Sequence, residues 1–292
     1  MKPQKREVGT RGKRSNRASV PSNSEIHPSK RLGQNFLTER HVIHRIVASL
    51  EPTPHETIIE IGPGTGALTA ELVKLAGRVI AIEFDRKLAP LLREAFLTWE
   101  NFTLIEADAL HTDFCRVIEP ANQARLVANL PYNISTAILQ RLIEQRRCLS
   151  ELLLMLQKEV VDRMTAPAGS ADRGYLSVLV EAYFEAEKLF DVSPAAFRPR
   201  PKIWSTVVRL NVRAKPSVPA DDKLFWSVVS AGFAQRRKTI LNNLRQASEP
   251  LQPILKSNGG ASIVLCRAGV DLQRRAETLS LEEWGRIVAS LG

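Results

Sequence analysis

The run Thr57-Ile58-Ile59-Glu60-Ile61 passes without a break into Gly62-Pro63-Gly64-Thr65-Gly66, and this junction most restricts what the chain can fold into. Five residues, apolar or β-branched at all but one position, suit a short strand buried on both faces. Glycines just after it permit positive φ and let a ligand approach the backbone beside a helix N-terminus. A helix is predicted from about Ala67 to Leu75. The alternation then repeats: strand Arg78–Ile82, helix Lys87–Leu97, and strands Phe102–Ile105, Leu126–Ala128 and Leu152–Leu156 with helical segments between. Short apolar strands separated by helices imply a parallel sheet covered on both faces, which binds ligands beyond the carboxyl ends of its strands.

Residues 173–212 read differently. Tyr175–Tyr183, Leu189-Phe190 and Ile203–Val212 suggest strands with no helix between them, an antiparallel edge on the same sheet. Lys215-Pro216-Ser217-Val218-Pro219 reads as a linker. Beyond it, Asp221–Phe233, Arg237–Gln246 and Leu281–Leu291 have helical spacing. The expected organisation is a basic extension over 1–29, an α/β domain over 30–214 and a small all-α domain over 220–292.

The formal charge of +10 points to a polyanionic partner, but nine lysines and arginines against two glutamates in residues 1–31 account for a surplus of seven. Nucleic-acid binding by the body must therefore rest on local clusters. The extension reads as disordered, either a solvated tail or an arm touching nucleic acid; no amphipathic face favours a transit peptide. No run approaches the ~18 apolar residues of a membrane helix. Cys115, Cys148 and Cys266 are scattered, without metal spacing, so they are expected to be plain core thiols of a reducing compartment. No metal site is expected.

The Gly turn alone is weak evidence, and it is not a P-loop, because no Gly-Lys-Ser/Thr follows. Gly62 and Gly64 are its candidate ligand positions. Glu83 closes the second strand about twenty residues on, where a carboxylate can accept hydrogen bonds from both hydroxyls of a ribose. The pair fits a nicotinamide dinucleotide and S-adenosylmethionine equally. Asp108, just past the third strand, shifts the balance as an acceptor for an adenine amino group, against a plainer role as a turn cap. Asp85 reads as the cap of the helix that follows it.

Asn129-Leu130-Pro131-Tyr132 ends another buried run, Leu126-Val127-Ala128. It combines an amide, a backbone carbonyl and an aromatic ring at one strand end. The amino group of adenine is a poor nucleophile because its lone pair is delocalised into the ring. Acceptors aimed at its two hydrogens would favour a pyramidal nitrogen facing a methyl donor, without a strong base. Tyr132 would stack on the base. The plain alternative is a turn rich in Asn and Pro beside a core tyrosine.

On these residues the chain resembles the bacterial small-subunit (16S) rRNA adenine N6,N6-dimethyltransferases. The likeness also takes in Leu32-Gly33-Gln34-Asn35-Phe36-Leu37, Gln157-Lys158-Glu159-Val160 and Phe197-Arg198-Pro199-Arg200-Pro201-Lys202-Ile203-Trp204-Ser205. It runs from Lys30 to about Leu210 and more weakly through the C-terminal part. The resemblance implies a Rossmann-like methyltransferase sheet that uses S-adenosylmethionine. It implies that Asn35 and Leu37 close over the cofactor, Gly62 lies against its methionine part, Glu83 takes the ribose and Asp108 the adenine. Asn129 would serve both cofactor and target base, and Phe197 would face Tyr132 across that base. Departures are small: Thr65 stands where Leu is frequent, and Ala137 where Pro is.

Arg198, Arg200 and Lys202 flank Phe197, and Arg236, Arg237 and Lys238 open a predicted helix, so these cations are the candidate rRNA contacts. The reading is a cytoplasmic, monomeric enzyme that dimethylates two neighbouring adenosines near the 3′ end of small-subunit rRNA, on a ribosomal precursor. Alternatives are a large-subunit rRNA methyltransferase of the antibiotic-resistance type, a non-catalytic assembly factor and a nicotinamide dehydrogenase.

Overall fold

The structure is a computed structural model that describes residues 28–29, 32–131, 134–218 and 220–292. Nearly all of the basic extension, and Tyr132, lie outside the described residues. In chain order the elements are β1 (Phe36–Leu37), α1 (Arg40–Leu50), β2 (Thr57–Ile61), α2 (Thr69–Leu75), β3 (Arg78–Glu83), α3 (Ala89–Ala95), β4 (Phe102–Glu106), α4 (Phe114–Val117), β5 (Ala124–Asn129), α5 (Ser135–Glu144) and β6 (Leu149–Gln157). There follow α6 (Lys158–Met164), α7 (Tyr175–Tyr183), β7 (Phe184–Val192), β8 (Phe197–Arg198), β9 (Ser205–Val212), α8 (Asp222–Gly232), α9 (Ile240–Arg245), α10 (Leu251–Ser257), α11 (Ala261–Arg267) and α12 (Leu281–Ala289).

Seven strands form one sheet in the order β4-β3-β2-β5-β6-β9-β7. The first five run parallel, and β9 inserts antiparallel between β6 and β7. This is a Rossmann-like α/β sheet with an antiparallel edge, as the sequence suggests. From β2 the chain steps outward through β3 to β4, then returns to lay β5 on the other side of β2. That reversal opens a crevice at the carboxyl ends of β2 and β5, where ligands bind in such sheets. Ile61 sits beside Ala128 in register, so the Gly turn and Asn129 emerge side by side.

Tyr175–Tyr183 is not a strand but helix α7. Ser177 accepts from the Gly174 amide at 2.9 Å and donates to the Arg163 carbonyl at 2.6 Å, which fixes its start. Val178, Leu179, Val180, Ala182 and Tyr183 are all buried. A helix covered on most faces loses the polar stripe that announces helical period.

The C-terminal helices α8–α12 share a continuous apolar cluster with α5, α7 and the sheet. Across this junction the Tyr183 hydroxyl donates to Asp222 at 2.7 Å, and Arg146 meets the same carboxylate at 2.7 Å. Trp284 is fully buried; a side chain at Gly232 would meet it at 2.4 Å. Helix α9 begins at Ile240, three residues later than expected, because the Thr239 side chain caps it by accepting from the Asn242 amide.

The cysteines depart from expectation. Cys115 and Cys148 form a disulfide, their Cα atoms 5.3 Å apart, and Cys266 is free and exposed rather than in the core. Thirty-three residues of separation conceal the pairing. No helix of the described residues is long and apolar enough to cross a membrane.

Candidate active site

The Gly turn holds Gly62, Gly64 and Gly66 at φ of 67°, 59° and 81°, conformations that L side chains rarely adopt. The Gly62 amide donates to the Ile82 carbonyl at 2.9 Å, tying the turn to the end of β3. Nothing lies within 4 Å of where a side chain at Gly62 would point, whereas one at Gly64 would meet Phe36 at 3.0 Å. Gly62 therefore opens onto free space, and Gly64 lets the β1 segment pack down.

Glu83 ends β3 and is buried, at 6% exposure. One carboxylate oxygen accepts from the Gly64 amide at 3.1 Å and the other from the Asp85 amide at 2.8 Å. Each oxygen keeps acceptor capacity for a further donor. Burial raises the carboxyl above its ordinary pKa, against the lowering effect of the two amides.

Asp108 follows β4 and borders the same cleft. Its side chain accepts from the Leu110 amide at 2.9 Å and faces His111 at 3.3 Å. The side chain thus caps its turn while the residue borders the cleft.

Asn129 ends β5, and its amide nitrogen donates to the Asn35 carbonyl at 3.1 Å. The carboxamide is thereby oriented with its oxygen free of that bond. Leu130 is buried, and its amide donates to the Met155 carbonyl at 3.2 Å, so the carbonyl-bearing backbone is anchored. Leu130 and Pro131 border the cleft.

Together these groups line one open cleft of about 980 Å³, counting the solvent at its mouth. Asn35, Gly62, Gly64, Glu83, Asp108, Asn129, Leu130 and Pro131 all border it. A nucleoside-sized ligand fits the donor set. An open backbone cradle lies at Gly62, Glu83 offers a buried acceptor pair, and Ile61, Ile82, Phe84 and Leu110 supply apolar walls.

The family model "Ribosomal RNA adenine dimethylase" matches residues 27–290. The chain belongs to this family. A Hahella chejuensis protein named ribosomal RNA small subunit methyltransferase A is 43% identical over 261 residues, 88% of this chain and 90% of that protein. A protein of the same name from Bacillus cytotoxicus is 42% identical over 267 residues, 90% of each chain. Among solved structures, the fold is similar to that of a dimethyladenosine transferase from Plasmodium falciparum, with TM-score 0.73, 24% identity, and 86% and 95% of the two chains covered. It is also similar to the 23S rRNA methyltransferase ErmE, with TM-score 0.63, 27% identity, and 88% and 99% covered.

Two residues that the family resemblance assigns to the site are not among those that border the cleft. Leu37 and Phe197 face each other in the β1–β8 pair and are buried at 5% and 2% in a second apolar cluster. Neither lines the cleft. Large apolar side chains on a two-stranded ribbon leave water by packing on Phe36, Val192 and Ala196. Phe197 shares its apolar cluster with Phe36, which itself borders the cleft. Tyr132, its expected counterpart, lies outside the described residues.

Sequence reasoning missed Phe84, which is 56% exposed and borders the cleft directly after Glu83. Its signal was a large apolar residue where the buried strand ends. It also missed Gln34, whose side chain donates to Asp85 at 2.9 Å and accepts from the Ser29 amide at 2.8 Å. Asp85 does cap its turn, through the Lys87 amide, and holds Gln34 with its other oxygen.

Arg198, Arg200 and Lys202 are exposed and make no ion pair among the described residues. Arg236, Arg237 and Lys238 are exposed on the turn between α8 and α9, not on a helix, and Arg236 donates to the Ala171 carbonyl. Arg236 is thereby committed partly to the fold.

Proposed function

We propose that the chain transfers methyl groups from S-adenosylmethionine to N6 of two adjacent adenosines near the 3′ end of small-subunit rRNA, dimethylating each during small-subunit assembly. Membership in the rRNA adenine dimethylase family supplies the reaction class. The ~40% identity to proteins named for the small subunit supports the choice of RNA. A cytoplasmic location and a monomeric state belong to the same proposal.

The observation that carries the mechanism is the Asn129–Asn35 hydrogen bond at the mouth of the cleft. S-adenosylmethionine, when bound, supplies an electrophilic methyl on its sulfonium. Gly62 leaves room for its amino-acid part, Glu83 accepts from its ribose hydroxyls, and Asp108 faces its adenine, with Phe84 as an apolar wall. The Asn129 side-chain oxygen and the Leu130 carbonyl accept the two N6 hydrogens of the target base. Both oxygens are held in place before the base arrives, so they stabilise the positive charge that grows on N6 without reorganising. A neutral amide and carbonyl suffice. The sulfonium S–CH3 bond breaks as N–CH3 forms, leaving the neutral thioether, and the proton made acidic on N6 is then lost to water, so no strong base is required. The base must leave its stack at a cost of a few kcal/mol, which stacking on Tyr132 partly offsets.

Single-turnover methyl transfer with Asn129→Ala tests this reading. Loss of a fixed acceptor should slow transfer by about 10²-fold or more while RNA binding stays near wild type. A near-normal rate removes Asn129 from the reaction. The fold likeness to ErmE keeps a large-subunit target as the second reading, and mapping methylated adenosines on both rRNAs separates the two.

A further inference from the structure

The loop between β8 and β9 carries groups that the methyl-transfer site does not use. Trp204 is 51% exposed and Ile203 is 39% exposed, side by side. Arg198, Arg200 and Lys202 precede them, all exposed. An indole left in water within a few residues of three unpaired cations suits a flat, anionic-backboned occupant better than an apolar one.

Trp204 is also held in place. Its carbonyl accepts from the Lys158 amide at 3.0 Å, and the next residue, Ser205, is buried and enters β9 opposite Gln157. Pro201 is buried as well, which anchors the middle of the loop. The adjacent carboxylate Asp191 is already engaged by Lys158 at 2.9 Å and Thr206 at 2.6 Å, so it offers little repulsion to phosphate.

Strand register places this indole relative to the reacting centre. Asn129 lies opposite Met155, and Met155 opposite Val207. Trp204 precedes Val207 by three residues on an antiparallel strand, hence toward the same carboxyl end of the sheet as Asn129. Two strand spacings of about 4.8 Å and three residues of about 3.4 Å put the two backbones about 14 Å apart. That is about four stacked nucleotides at about 3.4 Å each, and fewer once the strand is splayed.

We propose that Trp204 is a stacking platform for an unpaired base of the substrate RNA close to the target adenine, with Arg198, Arg200 and Lys202 holding the intervening phosphates. The inference rests on the rRNA reading above and adds a second base contact, outside the methyl-transfer pocket. Stacking accepts any base, so Trp204 fixes the register of the strand rather than its sequence. Ile203 packs alongside the sugar of the same nucleotide.

The test compares the full-length chain with Trp204→Ala, Trp204→Phe and Trp204→Leu on small ribosomal subunits lacking the modification. Trp204→Ala should raise KM for the subunits about 10-fold, with S-adenosylmethionine affinity and Tm unchanged. Trp204→Phe should recover most of that loss and Trp204→Leu should not, because only an aromatic plane stacks. An unchanged KM in Trp204→Ala overturns the proposal. So does equal recovery by Leu and Phe, which would mark a plain apolar contact with ribosomal protein, or a parallel fall in Tm, which would mark a structural role. If the wild-type chain methylates large-subunit RNA instead, the rRNA assignment fails on that result, and the same three variants are compared on that RNA.

Discussion

The side-chain amide of Asn129 donates to the backbone carbonyl of Asn35, ninety-four residues earlier in the chain, at 3.1 Å. One bond thus joins the end of β5 to the segment that closes the cleft. Gln34 beside it is tied to Asp85, and Phe36-Leu37 pair with Phe197-Arg198. The segment over Gln34–Leu37 is therefore attached to the turn after β3, to the end of β5 and to β8 at once.

Asn129→Asp tests this attachment separately from catalysis. The variant keeps an acceptor oxygen but loses the donor to Asn35 and sets a carboxylate oxygen against a carbonyl. S-adenosylmethionine affinity should fall about 10-fold, read by titration calorimetry, because leaving a partly buried hydrogen bond unmade costs on the order of 1 kcal/mol or more. Asn129→Ala should weaken the cofactor less than it slows methyl transfer.

Glu83 predicts a pH dependence of cofactor binding. Burial raises its carboxyl above the ordinary pKa, so the proton is taken up at a higher pH than in an exposed glutamate. Protonation turns one acceptor oxygen into a donor. Affinity for S-adenosylmethionine should therefore fall as pH is lowered through that raised pKa. Glu83→Gln should bind about 10–100-fold more weakly and show no such slope, since a lost charged acceptor costs roughly 1.5–3 kcal/mol.

Glu60 sits beneath the Gly turn, fully buried, with Thr69 donating to it at 2.6 Å and Glu83 adding repulsion. Burial pushes its carboxyl from 4.5 to about 7. Below its ordinary value both folded and unfolded chains hold the proton. Between 4.5 and about 7 only the folded chain keeps it, so Glu60's contribution to stability declines as pH rises through that window and is flat above it. Glu60→Gln should remove a slope of up to ~3 kcal/mol across the window, measured by denaturant titration at several pH values.

Gly62 and Gly66 share positive φ but differ in surroundings. A side chain at Gly66 would meet Phe96 at 2.8 Å, while one at Gly62 meets nothing within 4 Å. Both alanine variants take on left-handed backbone strain of ~1–2 kcal/mol, and Gly66→Ala adds overpacking of ~1–3 kcal/mol. Thermal unfolding should rank Gly66→Ala as less stable than Gly62→Ala. Calorimetry should show that Gly62→Ala loses cofactor binding beyond what its stability explains.

Phosphate contacts at Arg198, Arg200 and Lys202 should appear in salt dependence. Each alanine variant should reduce the slope of log K for RNA against log salt by about 0.7, as expected for one contact to single-stranded RNA. A slope unchanged from wild type in all three variants removes this loop from the RNA interface.

Most of the sheet was legible because buried parallel strands are short, apolar and punctuated by glycine. Thr57–Ile61 was read with its full boundaries, and Arg78–Ile82 fell one residue short. Helix α7 was misread because burial on nearly all sides erased its period. The helices at Leu251–Ser257 and Ala261–Arg267 are each only two turns long and carry too few residues for a period to stand out. Strands β1 and β8 have two residues each, which is too short for any alternation. They exist because Phe36 and Leu37 find Arg198 and Phe197 across the fold.

The site divides in the same way. Sequence by itself determined which chemical groups stand at the strand ends: a glycine cradle, the Glu83 and Asp108 carboxylates, and an amide followed by Leu-Pro-Tyr. Each is local, fixed by the residues on either side of a turn. Tertiary structure alone decided what those groups face. It joined Asn129 to Asn35, tied Gln34 to Asp85, paired Cys115 with Cys148, and buried Leu37 and Phe197 while leaving Trp204 in water. Those outcomes depend on contacts between segments far apart in the chain, made as the sheet closes and apolar surface leaves water, and no local pattern of residues encodes them.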